Sequence, residues 1–208
     1  MGSEASSGEK ELVAILRGVT TGRVVAIGDV LYEAGIRCIE VPLNSPDPFA
    51  SIAALANRRL PDLKVGAGTV LNVEDVHRTR DAGGRLVVSP NIRVEVIRCA
   101  LELGLDVMPG FATATEAFEA IDAGARRLKL FPAASYGTRY LESLRGVFPA
   151  DVQVYPVGGV GARDVAPWLA AGAAGFGFGS ELFRPEYDLS EIKQRAAALM
   201  RALQEARS

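Results

Sequence analysis

The chain is poor in cysteine, histidine, lysine and tryptophan, and each scarcity narrows what it can do. Two cysteines among 208 residues, Cys38 and Cys99, show no Cys-x-x-Cys spacing, so neither a disulfide framework nor a zinc site is signalled and a reducing, cytoplasmic setting is expected. The single histidine, His77, falls in a helical pattern, so a Ser-His-Asp triad and a multi-histidine metal centre both lack their parts. There is no basic surplus. The 23 Lys and Arg against 25 Asp and Glu give a formal net charge of -2, which disfavours nucleic acid as a partner. A membrane span is not expected either, because the longest uncharged stretch, residues 165–180, is broken by Pro167 and four glycines. Residues 1–10 are small and polar with no apolar core and read as a polar lead before one domain over residues 11–208.

Apolar residues make up 49% of the chain and glycine fills 22 positions, and the glycines carry a repeat. An Ala-Gly or Leu-Gly step closes a helical pattern at Gly35, Gly83, Gly104, Gly124 and Gly172, and a short apolar run follows each time. Glycine there suits the left-handed conformation that ends a helix. The separations are 48, 21, 20 and 48 residues, and each long gap holds one further unit, at 64–69 after Leu60-Pro61 and at 152–157 after Phe148-Pro149, with proline as the expected stop. With the opening run at 13–16 the count is eight strands, and helices are predicted over 47–59, 72–82, 114–123 and 189–206. Short strands with no polar alternation, separated by helices, call for a parallel sheet buried on both faces. The pattern predicts an α/β fold, a single-domain (β/α)8 TIM barrel, with an open doubly wound sheet as the alternative.

In such a barrel the chemistry belongs at the C-terminal ends of the strands. Glu40 and Lys129 each lie five residues after their capping glycine, on the second and sixth strands, so they should share a layer and face one another across the interior. Lysine is rare here, with four positions against nineteen arginines, and Lys129 is flanked by Leu128, Leu130 and Phe131. Burial lowers a lysine pKa and frees an amine able to attack a carbonyl as a Schiff-base nucleophile, with Glu40 as the acid-base partner. A structural ion pair bridging two strands fits the same spacing. Gly158-Gly159 and Gly179-Ser180 follow the seventh and eighth strands, where barrels commonly bind phosphate through backbone N–H groups, although ordinary turns use the same residues. Gly66-Ala67-Gly68-Thr69 brings a backbone and a hydroxyl to a strand end, and Arg17 closes the first strand with a fork suited to a carboxylate or to a surface ion pair. Trp168, Phe176 and Phe178 read as core.

Several segments together resemble one family: Ile15-Leu16-Arg17-Gly18, the run from Glu40 through Pro42, Asn44 and Pro46, Val65-Gly66-Ala67-Gly68-Thr69, Ser89-Pro90-Asn91, Lys129-Leu130-Phe131-Pro132 and Val157-Gly158-Gly159-Val160. They are similar to the class I 2-keto-3-deoxy-6-phosphogluconate and 2-keto-3-deoxy-6-phosphogalactonate aldolases. The resemblance implies Lys129 as the Schiff-base lysine and Glu40 as the acid-base residue. It implies Arg17 and Thr69 as substrate contacts, with Gly159, Gly179 and Ser180 around a phosphate. It further implies a phosphorylated 2-keto acid as substrate, pyruvate as product, no cofactor and a homotrimer. Asn44 and Val157 stand where the gluconate branch carries Arg and Thr, which resembles the galactonate branch. The alternatives are cleavage of the gluconate epimer or of 4-hydroxy-2-oxoglutarate, and a non-catalytic phosphate-binding barrel.

Overall fold

The structure, a computed structural model, describes residues 11–206; the polar lead expected over 1–10 lies outside the described residues. Strands and helices alternate along the chain. β1 (Glu11–Ile15), α1 (Thr21–Glu33), β2 (Cys38–Pro42), α2 (Pro48–Ala56), β3 (Lys64–Gly68), α3 (Val73–Asp81), β4 (Leu86–Val88), α4 (Val94–Glu102) and β5 (Asp106–Met108) come first. Then follow β6 (Gly110–Phe111), α5 (Ala114–Asp122), β7 (Arg127–Leu130), α6 (Ala133–Tyr136), α7 (Thr138–Arg145), β8 (Gln153–Pro156), α8 (Val165–Ala170), β9 (Gly175–Phe178) and α9 (Leu189–Glu205). All strand pairings among the described residues are parallel.

The ladders divide into a six-stranded sheet, β5-β4-β3-β2-β1-β9, and a three-stranded sheet, β6-β7-β8. Among the described residues the eight expected strands are therefore nine. Proline at 109 has no N–H for a ladder, and it splits one extended stretch into β5, which pairs with β4, and β6, which pairs with β7. At that seam the Lys129 N–H donates to the Pro109 carbonyl, at 2.9 Å. At the other seam an isolated bridge joins Val157 to Gly177, and the Ala174 N–H donates to the Val154 carbonyl at 2.9 Å.

The five capping glycines all adopt the left-handed conformation, with φ between +69° and +107°. The two proline stops work otherwise. α2 ends at Ala56 and α7 at Arg145, before Pro61 and Pro149, and in the first case left-handed Arg59 and Asp62 complete the turn.

Alternation along each strand sorts side chains between two layers. Leu12, Ala14, Ile39, Val41, Val65, Ala67, Val107, Leu128, Leu130, Phe176 and Phe178 pack outward with the helices, where Trp168 also lies, as expected of core residues. Val13, Cys38, Leu86, Val88, Met108 and Tyr155 pack together on the inner face of the curled sheets. Below them, the first residues of β1, β3, β5 and β7 form an ionic network: Arg127 pairs with Glu11 and, at 3.6 Å, with Asp106, which also pairs with Lys64. No helix among the described residues is long and apolar enough to cross a membrane.

Candidate active site

The alternation that sends Ile39 and Val41 outward turns Glu40 inward from β2, and the same rule turns Lys129 inward from β7 between Leu128 and Leu130. Glu40 is 1% and Lys129 5% exposed, the two most consequential charges to be buried in the molecule. Burial lowers the Lys129 pKa below the ordinary lysine value, Glu40 opposes that shift, and the Arg17 charge adds to it. Burial pushes the Glu40 carboxyl up, while Lys129 and Arg17 pull it back. Each group lies in the other's field. Yet Glu40 Oε2 is buried with no hydrogen-bond partner among the described residues, and the Lys129 Nζ stands 5.0 Å from the centre of the Phe131 ring. An amine whose pKa is lowered and an unsatisfied carboxylate oxygen, both buried and each in the other's field, can form an imine and move a proton.

Neighbouring strand ends fix these two groups. A Cβ added at Gly68, at the end of β3, would fall 1.5 Å from Glu40 Oε2, so the carboxylate occupies space that only glycine leaves free. Thr69 follows in the left-handed region at φ +58°, a strained conformation for a β-branched residue. It is held there because the Val70 N–H donates to the Val88 carbonyl at 3.1 Å and the Ser89 hydroxyl donates to the Val70 carbonyl at 2.8 Å. Arg17, one residue beyond Leu16, whose N–H donates to the Glu40 carbonyl at 2.9 Å, is exposed at the mouth and donates to Asn44 Oδ1 at 2.6 Å.

The expected phosphate residues form a second group on adjoining strand ends. Gly158 and Gly159 are both left-handed, at φ +93° and +73°, and lie against Phe131 and Ala134 of the segment that follows Lys129. Gly179 and Ser180 lie beside them, because the Val157–Gly177 bridge pairs their strands two residues earlier. The Gly179 carbonyl accepts from the Leu182 and Phe183 N–H groups, both at 2.9 Å, which leaves Ser180 exposed at the start of a turn. Val157 itself is buried, and a Cβ at Gly177 would meet its side chain at 2.7 Å.

Outside this region, His77 lies in a helix as expected, exposed on α3 with its Nε2 3.8 Å from Cys99 Sγ. Both cysteines are free thiols, and burial pushes that of Cys38 up to about 12. Two concavities of about 670 and 440 Å³ lie between α4 and α5 and beside Lys64 and Arg85, and neither contains Glu40 or Lys129. The contacts made by Gly68 and Asn44 are with residues distant in sequence, so nothing local in the chain specifies them. The indirect signals are a glycine-rich strand end after a buried carboxylate, and an amide one turn beyond it.

A buried lysine and a buried carboxylate, both on the inner face of parallel strands, are suited to imine chemistry, and comparison with known proteins shows the family of the chain. It belongs to the KDPG and KHG aldolase family, whose model matches residues 4–196, and is thus a carbon–carbon lyase. It is 44% identical over 195 residues, 94% of this chain and 95% of the relative, to the 2-dehydro-3-deoxy-6-phosphogalactonate aldolase of Escherichia coli (strain K12). A solved structure described as native KDPGal superposes with a TM-score of 0.92 at 42% identity, covering 99% of this chain and 98% of that one. A KDPG aldolase from Legionella pneumophila, with pyruvate captured at low pH as a covalent carbinolamine intermediate, superposes at 0.83 with 27% identity, covering 91% and 94%.

Proposed function

We propose that this chain cleaves 2-dehydro-3-deoxy-6-phosphogalactonate to pyruvate and D-glyceraldehyde 3-phosphate through a Schiff base on Lys129. The carrying observation is that Lys129 and Glu40 are buried within each other's field, with the amine pushed toward neutrality and one carboxylate oxygen unpartnered. The Lys129 amine attacks the C2 ketone, and loss of water gives an iminium. Glu40, through a water, takes the C4 hydroxyl proton as the C3–C4 bond breaks. The iminium accepts the electron pair as an enamine and the aldehyde departs. Protonation and hydrolysis then release pyruvate and restore the amine, so the reaction balances without a metal or organic cofactor. Arg17 and Thr69 contact the keto-acid end, and Gly159, Gly179 and Ser180 receive the phosphate. The carbinolamine formed by pyruvate in the Legionella relative supports the covalent step.

The galactonate epimer is favoured over the gluconate epimer because buried Val157 offers a methyl where a hydroxyl could bond the sugar, and such a bond discriminates strongly. The pairing across both seams supports one closed (β/α)8 barrel forming a single domain from residue 11 onward. A cytoplasmic homotrimer accords with the free thiols and with the family resemblance. Borohydride with pyruvate tests the core of the reading: mass spectrometry should find one reduced adduct on Lys129 and none in Lys129→Met. A protein left unmodified would return the non-catalytic barrel. The ratio of cleavage rates for the two C4 epimers tests the sugar assignment, and equal rates refute the part given to Val157.

A further inference from the structure

Arg17 is long and flexible, so a role in gripping a carboxylate requires something to hold its guanidinium over the site. Its backbone is fixed from two sides. The Gly18 N–H donates to Ser45 Oγ at 2.9 Å, and a Cβ on Gly18 would come within 2.9 Å of Pro185 Cγ in the loop beyond β9. The Leu16 N–H is bonded to the Glu40 carbonyl, so the chain on either side of Arg17 is anchored to the β2 end. The side chain is a different matter. Its one hydrogen bond among the described residues is the 2.6 Å contact from Nη1 to Asn44 Oδ1, and it makes no ion pair there. Asn44 sits one residue before Ser45, so backbone and side chain of the β1 end are knitted to the same short segment after β2.

We propose that Asn44 is a positioning residue for the keto-acid end of the substrate: its amide oxygen takes one Nη1 donor of Arg17 and thereby presents the rest of the fork to the substrate carboxylate. This rests on the reading of Arg17 as a carboxylate contact. A neutral acceptor suits the task, because a carboxylate at position 44 would itself satisfy the guanidinium and repel the incoming acid. The fields that Arg17 imposes on both Glu40 and Lys129 accord with a guanidinium held toward them rather than swung into solvent. Unlike the substrate contacts, Asn44 acts only through Arg17, and its effect should vanish with that side chain.

The test measures the rate of borohydride trapping of Lys129 against pyruvate concentration in the whole protein, together with both Michaelis constants in the aldol direction. Asn44→Ala should raise the half-saturating pyruvate concentration roughly tenfold, the worth of one hydrogen bond to a charged group. It should leave the saturating trapping rate and the Michaelis constant for the aldehyde phosphate within about twofold, a split that a general loss of structure would not produce. In an Arg17→Met background the same substitution should change pyruvate half-saturation by less than twofold. An unchanged half-saturation in Asn44→Ala, with Lys129 still trapped, overturns this inference and leaves the aldolase reading intact. An equal effect with and without Arg17 overturns it too, by making Asn44 a direct contact. Failure of the unaltered protein to trap pyruvate overturns both.

Discussion

At the scale of single residues, the site depends on opposing influences on one amine. Burial and Arg17 both lower the Lys129 pKa and Glu40 raises it, so variants of the two neighbours should move the acid limb of the pH profile in opposite directions. With the neutral amine as the proposed nucleophile, the pyruvate trapping rate should rise with pH through a midpoint below the ordinary lysine value of 10.5. Glu40→Gln should carry that midpoint to lower pH and Arg17→Met to higher pH, as read from trapping rates across a buffer series. Shifts of the same sign would contradict the arrangement. Gly68 is the other sensitive position. Gly68→Ala should reduce kcat by roughly 10²- to 10⁴-fold, the usual worth of positioned acid-base catalysis, because the new methyl would displace the Glu40 carboxylate. The collision disappears in a Glu40→Ala background, so there Gly68→Ala should cost no further activity. A further loss in that background would locate the effect elsewhere.

At the scale of elements, what was legible was what is encoded locally. Each capping glycine announced itself because only glycine takes the left-handed turn freely, and each is followed by a strand where expected. Equal spacing from those caps also carried Glu40 and Lys129 to the inner face, since side-chain alternation is counted from the strand start. Other features depend on partners far along the chain. The change of neighbour at Pro109 follows from where β4 and β7 lie, and the Arg17–Asn44 contact spans 27 residues. The early end of α2 carries no comparable local signal, because Arg59 and Asp62 turn left-handed without being glycine. The strand-initial charges Glu11, Lys64, Asp106 and Arg127 read singly as surface residues, and only the curl of the sheets gathers them.

For the molecule as a whole, the site is a standing expense in stability. Burial lowers the Lys129 pKa in the fold below its unfolded value, so its contribution to stability increases with pH between that lowered value and 10.5. Glu40 runs the other way. Its folded pKa is raised above 4.5, so stability attributable to it falls as pH climbs from 4.5 through the raised value. At neutral pH both groups therefore weigh against folding. The double variant Lys129→Met/Glu40→Gln should be more stable than the parent by about 1 to 4 kcal/mol in denaturant melts, because it relieves the burial of two charged groups that make no ion pair among the described residues. A less stable double variant would mean that the pair holds the sheets together.

The ionic network at the start of the strands, with Cys38, Met108 and Tyr155 packed above it, floors the interior beneath Lys129. With that end filled, a substrate would reach Lys129 from the C-terminal ends of the strands. Under the proposed chemistry the fragment bound to the lysine sits deeper than the fragment carrying the phosphate, so the two products must queue, the aldehyde leaving before pyruvate can be hydrolysed free and follow it out.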